Sequence, residues 1–161
     1  MDSIRKQLTL FFENDIIEEI RAKFNPLQHH LIPCHVTLCR EDEIGDLANI
    51  MAKIKAINIK KPFQIKFNKV KRFDSGKGVL IPASSVNKDF HKLRSCILNV
   101  PRTYLPHITL MHPRNSTCTD VIFEEIKSYA LPKLITFNKI SLIEQRNGEK
   151  WELLENFLLQ D

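Results

Sequence analysis

His35-Val36-Thr37-Leu38 returns in the second half of the chain as His107-Ile108-Thr109-Leu110. In an extended strand successive side chains point to opposite faces, so each copy turns a histidine and a threonine to one side and two aliphatic residues to the other. One face is left for chemistry and the other packs. Two copies in one chain point to a duplicated fold that uses both.

The duplication extends beyond the tetrapeptides. Ile65-Lys66-Phe67-Asn68-Lys69-Val70 recurs as Ile135-Thr136-Phe137-Asn138-Lys139-Ile140 at nearly the same offset. The first half reads as a strand over 7–12, then a helix over 14–24 with Ile16, Ile17, Ile20 and Phe24 at helical spacing behind an Asn14 cap. A strand over 35–40 follows, then one helix carrying Ile44, Leu47, Ile50, Met51 and Ile54 on a single stripe, then a strand over 63–70. The second half repeats that order: a strand at 78–82, a helix over 86–98, a strand over 107–111, a helix over 120–130 with Val121, Ile122, Ile126 and Tyr129 inward, and a strand over 134–143.

Arg146-Asn147-Gly148-Glu149 then predicts a hairpin into a last strand over 150–158, because Asn-Gly suits the left-handed turn that joins two paired strands. The expected fold is α+β: one bilobal domain over 1–161, built from repeats over about 7–73 and 78–143 and joined near Asp74-Ser75-Gly76-Lys77-Gly78. Two antiparallel sheets related by a pseudo-two-fold should line a central cleft, with helices packed outside. Each motif strand is expected to face its counterpart across that cleft.

At 161 residues, 43% hydrophobic and 27% charged, the chain is long enough to bury one substantial core. The opening residues show no signal-peptide pattern, and no apolar run is long enough to span a bilayer, so a cytoplasmic monomer is expected. Cys34, Cys39, Cys96 and Cys118 form no Cys-x-x-Cys pair and read as reduced, structural thiols. No zinc-type spacing emerges around the motifs, so neither a metal nor a cofactor is expected. His29 and His30 read as loop residues. A net charge of +5, concentrated in Lys53, Lys55, Lys60, Lys61, Lys66, Lys69, Lys71, Arg72 and Lys77, suits an anionic partner such as a phosphate backbone.

Histidine is the side chain whose ordinary pKa lets a neutral and a protonated copy coexist near neutrality. One can take a proton from water while the other gives one to a departing oxygen, which fits displacement at phosphorus. The threonine two positions on shares the face, about 7 Å along the strand, and its hydroxyl can donate to a phosphate oxygen. His35 and His107 are thus the candidate catalytic pair, and Thr37 and Thr109 the candidate phosphate ligands. Tyr104 and Phe73 are candidates for stacking on a base.

The paired motifs, Leu10-Phe11-Phe12 in the first strand, the Pro106-His107-Ile108-Thr109-Leu110 run and the duplication resemble the two-histidine (2H) phosphoesterase superfamily, in particular its LigT-like 2'-5' RNA ligase branch. The resemblance spans essentially the whole chain. It implies metal-independent opening of 2',3'-cyclic phosphates at RNA or nucleotide ends, typically leaving a 2'-phosphate. By analogy His35 protonates the leaving 3' oxygen and His107 activates water. In that family an arginine often follows the motif's leucine by two positions. Arg40 fits, whereas His112 stands at the second place, so that His112 or Arg114 takes over part of the electrostatics or the contact is missing. The alternatives are a 2'-5' oligonucleotide phosphodiesterase or ligase using the same four side chains, and a non-catalytic module that binds RNA ends.

Overall fold

The computed structural model describes residues 2–57 and 61–159; Lys60 of the basic segment lies outside them. Nine strands and six helices follow one another as β1 (Ile4–Phe11), α1 (Asp15–Phe24), α2 (Pro26–Leu31), β2 (His35–Cys39), α3 (Glu41–Ile44), α4 (Leu47–Ala56), β3 (Phe63–Lys66), β4 (Lys71–Phe73), β5 (Gly78–Pro82), α5 (Lys88–Ile97), β6 (His107–Met111), α6 (Asp120–Lys127), β7 (Leu134–Phe137), β8 (Lys139–Arg146) and β9 (Glu152–Leu158) among the described residues. The class is the expected α+β, with two antiparallel sheets. A seven-stranded sheet runs β4-β5-β6-β2-β1-β8-β9, and a two-stranded sheet pairs β3 with β7.

The two-fold relation is written into the registers. Val36 pairs with Ile108 between β2 and β6, and Ile65 with Ile135 between β3 and β7, so equivalent residues of the two repeats face each other twice. Antiparallel pairing of equivalent residues is what a two-fold axis between neighbouring strands requires. The last strands are exchanged: β4 pairs with β5 of the second repeat, and β8 with β1 of the first. Helices cross over as well, α1 packing on β6 and α5 on β2. The core lies behind the large sheet, where Leu8, Leu10, Val36, Leu38, Ile108 and Leu110 meet Ile17, Ile20, Phe90, Leu93 and Ile97.

Local chemistry sets the boundaries. Asn14 caps α1 by accepting the Ile17 N–H at 2.9 Å, and Thr119 caps α6 by accepting that of Ile122 at 3.2 Å. The single helix expected along Ile44 to Ile54 is two, because Gly45 turns to φ +57° and Asp46 caps a fresh helix at Asn49 N. The strand expected over 134–143 divides between the two sheets at Asn138, and the one expected over 63–70 ends at Lys66, the large sheet being joined only from Lys71. His29 and His30 lie in α2 rather than a loop. Val121 is 80% exposed, not inward, since it sits about 140° around the helix from buried Ile126. Asp74, Ser75 and Gly76 all take positive φ and form the β4–β5 hairpin turn. Asn147 and Gly148, at φ +53° and +72°, make the expected turn between β8 and β9. Among the described residues no helix is long and apolar enough to cross a membrane.

Candidate active site

Strands β2 and β6 carry the same alternation: the histidine and threonine of each are partly exposed, and the aliphatic residues between and after them are buried. One step to either side of the Val36–Ile108 pair, the antiparallel register sets His35 opposite Thr109 and Thr37 opposite His107. Directly opposed Cβ atoms in such a pair stand about 4.5–5.5 Å apart and diagonal ones about 7–8 Å. The imidazoles therefore hold one diagonal of a four-cornered plot and the hydroxyls hold the other. This corrects the expectation that the motif strands face each other across the cleft: they are neighbours in one sheet, and both histidines rise from its floor. Convergence needs no second wall, because two strands related by a two-fold between them present equivalent residues on the same face.

Each imidazole is tied to the chain just before it. His35 Nδ1 lies 2.8 Å from the Pro33 carbonyl and His107 Nδ1 3.1 Å from that of Leu105. A carbonyl only accepts, so Nδ1–H must be the donor in both, leaving Nε2 to exchange a proton. Burial disfavours the charged ring and lowers His35 to about 4, with the Arg21 charge and the His107 ring adding to the effect. Burial, helped by the charge of Arg40, also holds His107 below its ordinary value.

Around this floor lies a cleft of about 600 Å³. Besides the two histidines it gathers Thr37, Thr109, Arg40, Tyr104, His112 and Arg114, all of them candidates in the sequence, from β2, β6 and the loops beside them. Phe73 is not brought there; its ring covers Gly78 on β5, so closely that a Cβ on that glycine would sit 2.5 Å from it. His112 is fixed by its backbone N–H donating to Asn25 Oδ1 at 2.7 Å, and the Arg114 guanidinium lies 3.2 Å from its ring. Tyr104 stacks on Phe90 at 5.9 Å and stands 6.0 Å from the His107 ring, while burial pushes its hydroxyl up to about 12.

The charge of the cleft comes from Arg5, Arg21, Arg40 and Arg114; no described lysine of the basic segment borders it, and among the described residues no carboxylate does. Arg72 of that segment is occupied structurally, by Asp120 at 2.5 Å and the carbonyls of Gly76 and Cys118. Among the described residues no three His, Cys, Asp or Glu side chains are arranged to hold a metal ion. Burial raises the Cys34 and Cys39 thiols to about 12, in keeping with inert packing groups.

Sequence reasoning made no site candidate of Arg5, Gln7, Arg21 or Arg94, and gave Trp151 only a packing role against the terminal sheet. Gln7 donates to Thr37 Oγ1 at 3.4 Å. Arg21 donates to the Ile32 carbonyl at 2.7 Å, just before the first motif. Arg94 donates to the Leu38 carbonyl at 2.6 Å, pairs with Glu43 and lies 4.8 Å under the Tyr104 ring. A signal was present: Ile17, Ile20, Arg21 and Phe24 match Phe90, Leu93, Arg94 and Ile97 in spacing, with an arginine set on an apolar stripe both times.

Comparison with known proteins agrees with this architecture. The E. coli LigT structure complexed with phosphate superposes with a TM-score of 0.64 at 15% identity, covering 100% of both chains. LigT complexed with NADP+ gives 0.67 at 16% identity over 98% of each. A crystal structure described as a phosphoesterase gives 0.62 at 12% identity over 99% of this chain and 100% of that one. Among curated proteins none matches the sequence. A family model described as "2'-5' RNA ligase superfamily" matches residues 11–149, both motifs included. With most of its length matched by that family and its whole fold matched by LigT, the chain belongs to the 2'-5' RNA ligase superfamily, the LigT-like branch of the two-histidine phosphoesterases.

Proposed function

We propose that this protein is a metal-independent phosphoesterase that opens 2',3'-cyclic phosphates at RNA or nucleotide ends. The observation that carries the reading is the diagonal placement of His35 and His107 on one sheet face, each with Nδ1 committed to a carbonyl and Nε2 without a hydrogen-bond partner among the described residues. A phosphoryl group above the centre of that plot has an imidazole on either side and a hydroxyl at each remaining corner. Neutral His107 takes a proton from water through Nε2 as the water oxygen bonds to phosphorus. The P–O3' bond breaks, its electrons go to O3', and protonated His35 supplies the proton. The product is a 2'-phosphate with a free 3' hydroxyl, and solvent returns the proton from His107 to His35.

Thr37 and Thr109 donate to the non-bridging oxygens, where charge develops. Arg40 and Arg114 supply the surrounding positive field. Burial works against a protonated His35 in the free protein, so the anionic substrate itself must favour the charged ring. The phosphate and 3'-AMP bound by E. coli LigT, a protein of the same fold, are ligands of the same chemical kind.

The test is turnover of a nucleoside 2',3'-cyclic phosphate with a chelator present, with phosphorus NMR to identify the product. His35→Ala and His107→Ala are each expected to lower kcat by about 10²–10⁴. Activity that survives both replacements, or that the chelator abolishes, overturns the reading. A panel including 2'-5' linked dinucleotides reveals whether linkage cleavage is the better reaction.

A further inference from the structure

Trp151 is the chain's single tryptophan. It is half-buried at the junction of the catalytic cleft and a neighbouring hollow of about 870 Å³ floored by β8 and β9. Its backbone N–H donates to the Leu31 carbonyl at 2.9 Å. The Arg5 guanidinium lies over its ring at 5.3 Å from the centroid. Arg5 in turn is braced by Gln145 Oε1 at 3.1 Å and Glu41 at 3.2 Å, and Gln145 by the Glu149 carbonyl at 2.9 Å. No other aromatic ring packs on Trp151 among the described residues. A rigid indole has thus been built beside an anion cleft.

The spacing of its partner Arg5 along β1 sets what it can hold. Gln7 reaches Thr37, and Arg5 stands two residues from Gln7 on the same face of β1, about 7 Å further along. That displacement is of the order of one nucleoside. Arg114 lines the same cleft and makes no ion pair among the described residues. Burial and the nearby charge of Arg5 lower its pKa, so this end of the cleft holds positive charge that an anion would relieve.

We infer that the Arg5–Trp151 pair and Arg114 form a second subsite for the nucleotide adjoining the terminal one, its base stacked on Trp151 and its phosphate at Arg114, so that the substrate is an oligonucleotide end rather than a mononucleotide. Resting on the proposed function, this names the substrate class of the same cleft. Stacking on an aromatic ring tolerates every base, so the subsite selects chain length and not sequence.

Because Trp151 is the lone indole, its fluorescence reports the subsite directly. An oligonucleotide ending in a 3'-phosphate should quench it, and a nucleoside monophosphate should do so far less. In turnover, kcat/KM for a dinucleotide 2',3'-cyclic phosphate over that for the mononucleotide should fall roughly tenfold in Trp151→Ala and recover in Trp151→Phe. Arg114→Gln should reduce the salt slope of oligonucleotide binding by about 1. Equal quenching by both ligands, or a ratio that Trp151→Ala leaves untouched, overturns the subsite. Selective quenching by the oligonucleotide without turnover of either substrate would keep the subsite and remove the hydrolytic reading, so the two ideas fail separately.

Discussion

The first and second motif strands are near copies set in different surroundings. Both present histidine, then threonine, on one face, and each half carries one buried helical arginine, Arg21 on α1 and Arg94 on α5, although both donate to first-half carbonyls, those of Ile32 and Leu38. Arg21, in the first half, borders the cleft and is paired with Glu18, whose side chain is 31% exposed. Arg94, in the second half, is sealed between Glu43, 5% exposed, and the Tyr104 ring, and does not line the cleft. Arg40 follows β2, while His112 follows β6. The duplication supplies position, and the divergence around it supplies different charged neighbours to each of two identical rings, as the opposite proton-transfer roles proposed above would require.

Removing the two arginines should expose that divergence most strongly. Arg94→Met leaves Glu43 in a buried site with only Arg102, at 3.7 Å, to answer its charge, and breaking such a pair costs up to about 3–5 kcal/mol. Urea unfolding at constant slope measures it, and Arg94→Met/Glu43→Leu should recover part of the loss. Arg21→Met should cost less, because Glu18 can turn to water. Equal destabilisation by the two single variants would erase the distinction between sealed and open arginines.

The threonines test the opposite side of the comparison, where the halves are alike. A hydrogen bond to a charged group contributes about 1.5–3 kcal/mol, so Thr37→Val and Thr109→Val should each lower kcat by about one to two decades. Similar losses fit two hydroxyls at equivalent corners. A loss confined to Thr37, the one held by Gln7, would mean that only one non-bridging oxygen is gripped.

The same contrast explains what could be read from the chain. Period-two and helical patterns placed both motif strands and α1, and Asn147-Gly148 placed the last hairpin, because each is decided by a few adjacent residues. The break at Asn138 left a partial trace, since β7 alternates, with Ile135 and Phe137 buried between exposed neighbours, whereas β8 is buried on both faces from Ile140 to Gln145. Pairing of β2 with β6 left none: alternation says which face a residue takes, not which strand lies beside it. Of the cleft's arginines, Arg40 and Arg114 were legible from their places beside the motifs, whereas Arg5 and Arg21 were hidden: Arg5 comes from the opposite end of the chain from Trp151, and local density favoured the lysines of 53–77 instead.

The pH dependence separates the two rings most finely. Burial lowers His35 to about 4 and holds His107 below its ordinary value. A reaction using one neutral and one protonated imidazole runs best between the two macroscopic pKa values of the pair. Since kcat/KM reports the free protein, its bell should lie on the acid side of about pH 6.5, with kcat displaced upward because the bound anion favours the charged ring. Folding stability carries the matching sign. The unfolded chain protonates His35 near pH 6.5 and the native one only near 4, so its contribution is complete above that window and is lost as pH falls through it. His35→Gln removes this loss, and the gap in thermal midpoint between wild type and variant should therefore change between pH 6.5 and 4. His107→Gln gives the second ring its own curve. Two superimposable curves would mean that the halves differ in their neighbours but not in the field those neighbours impose.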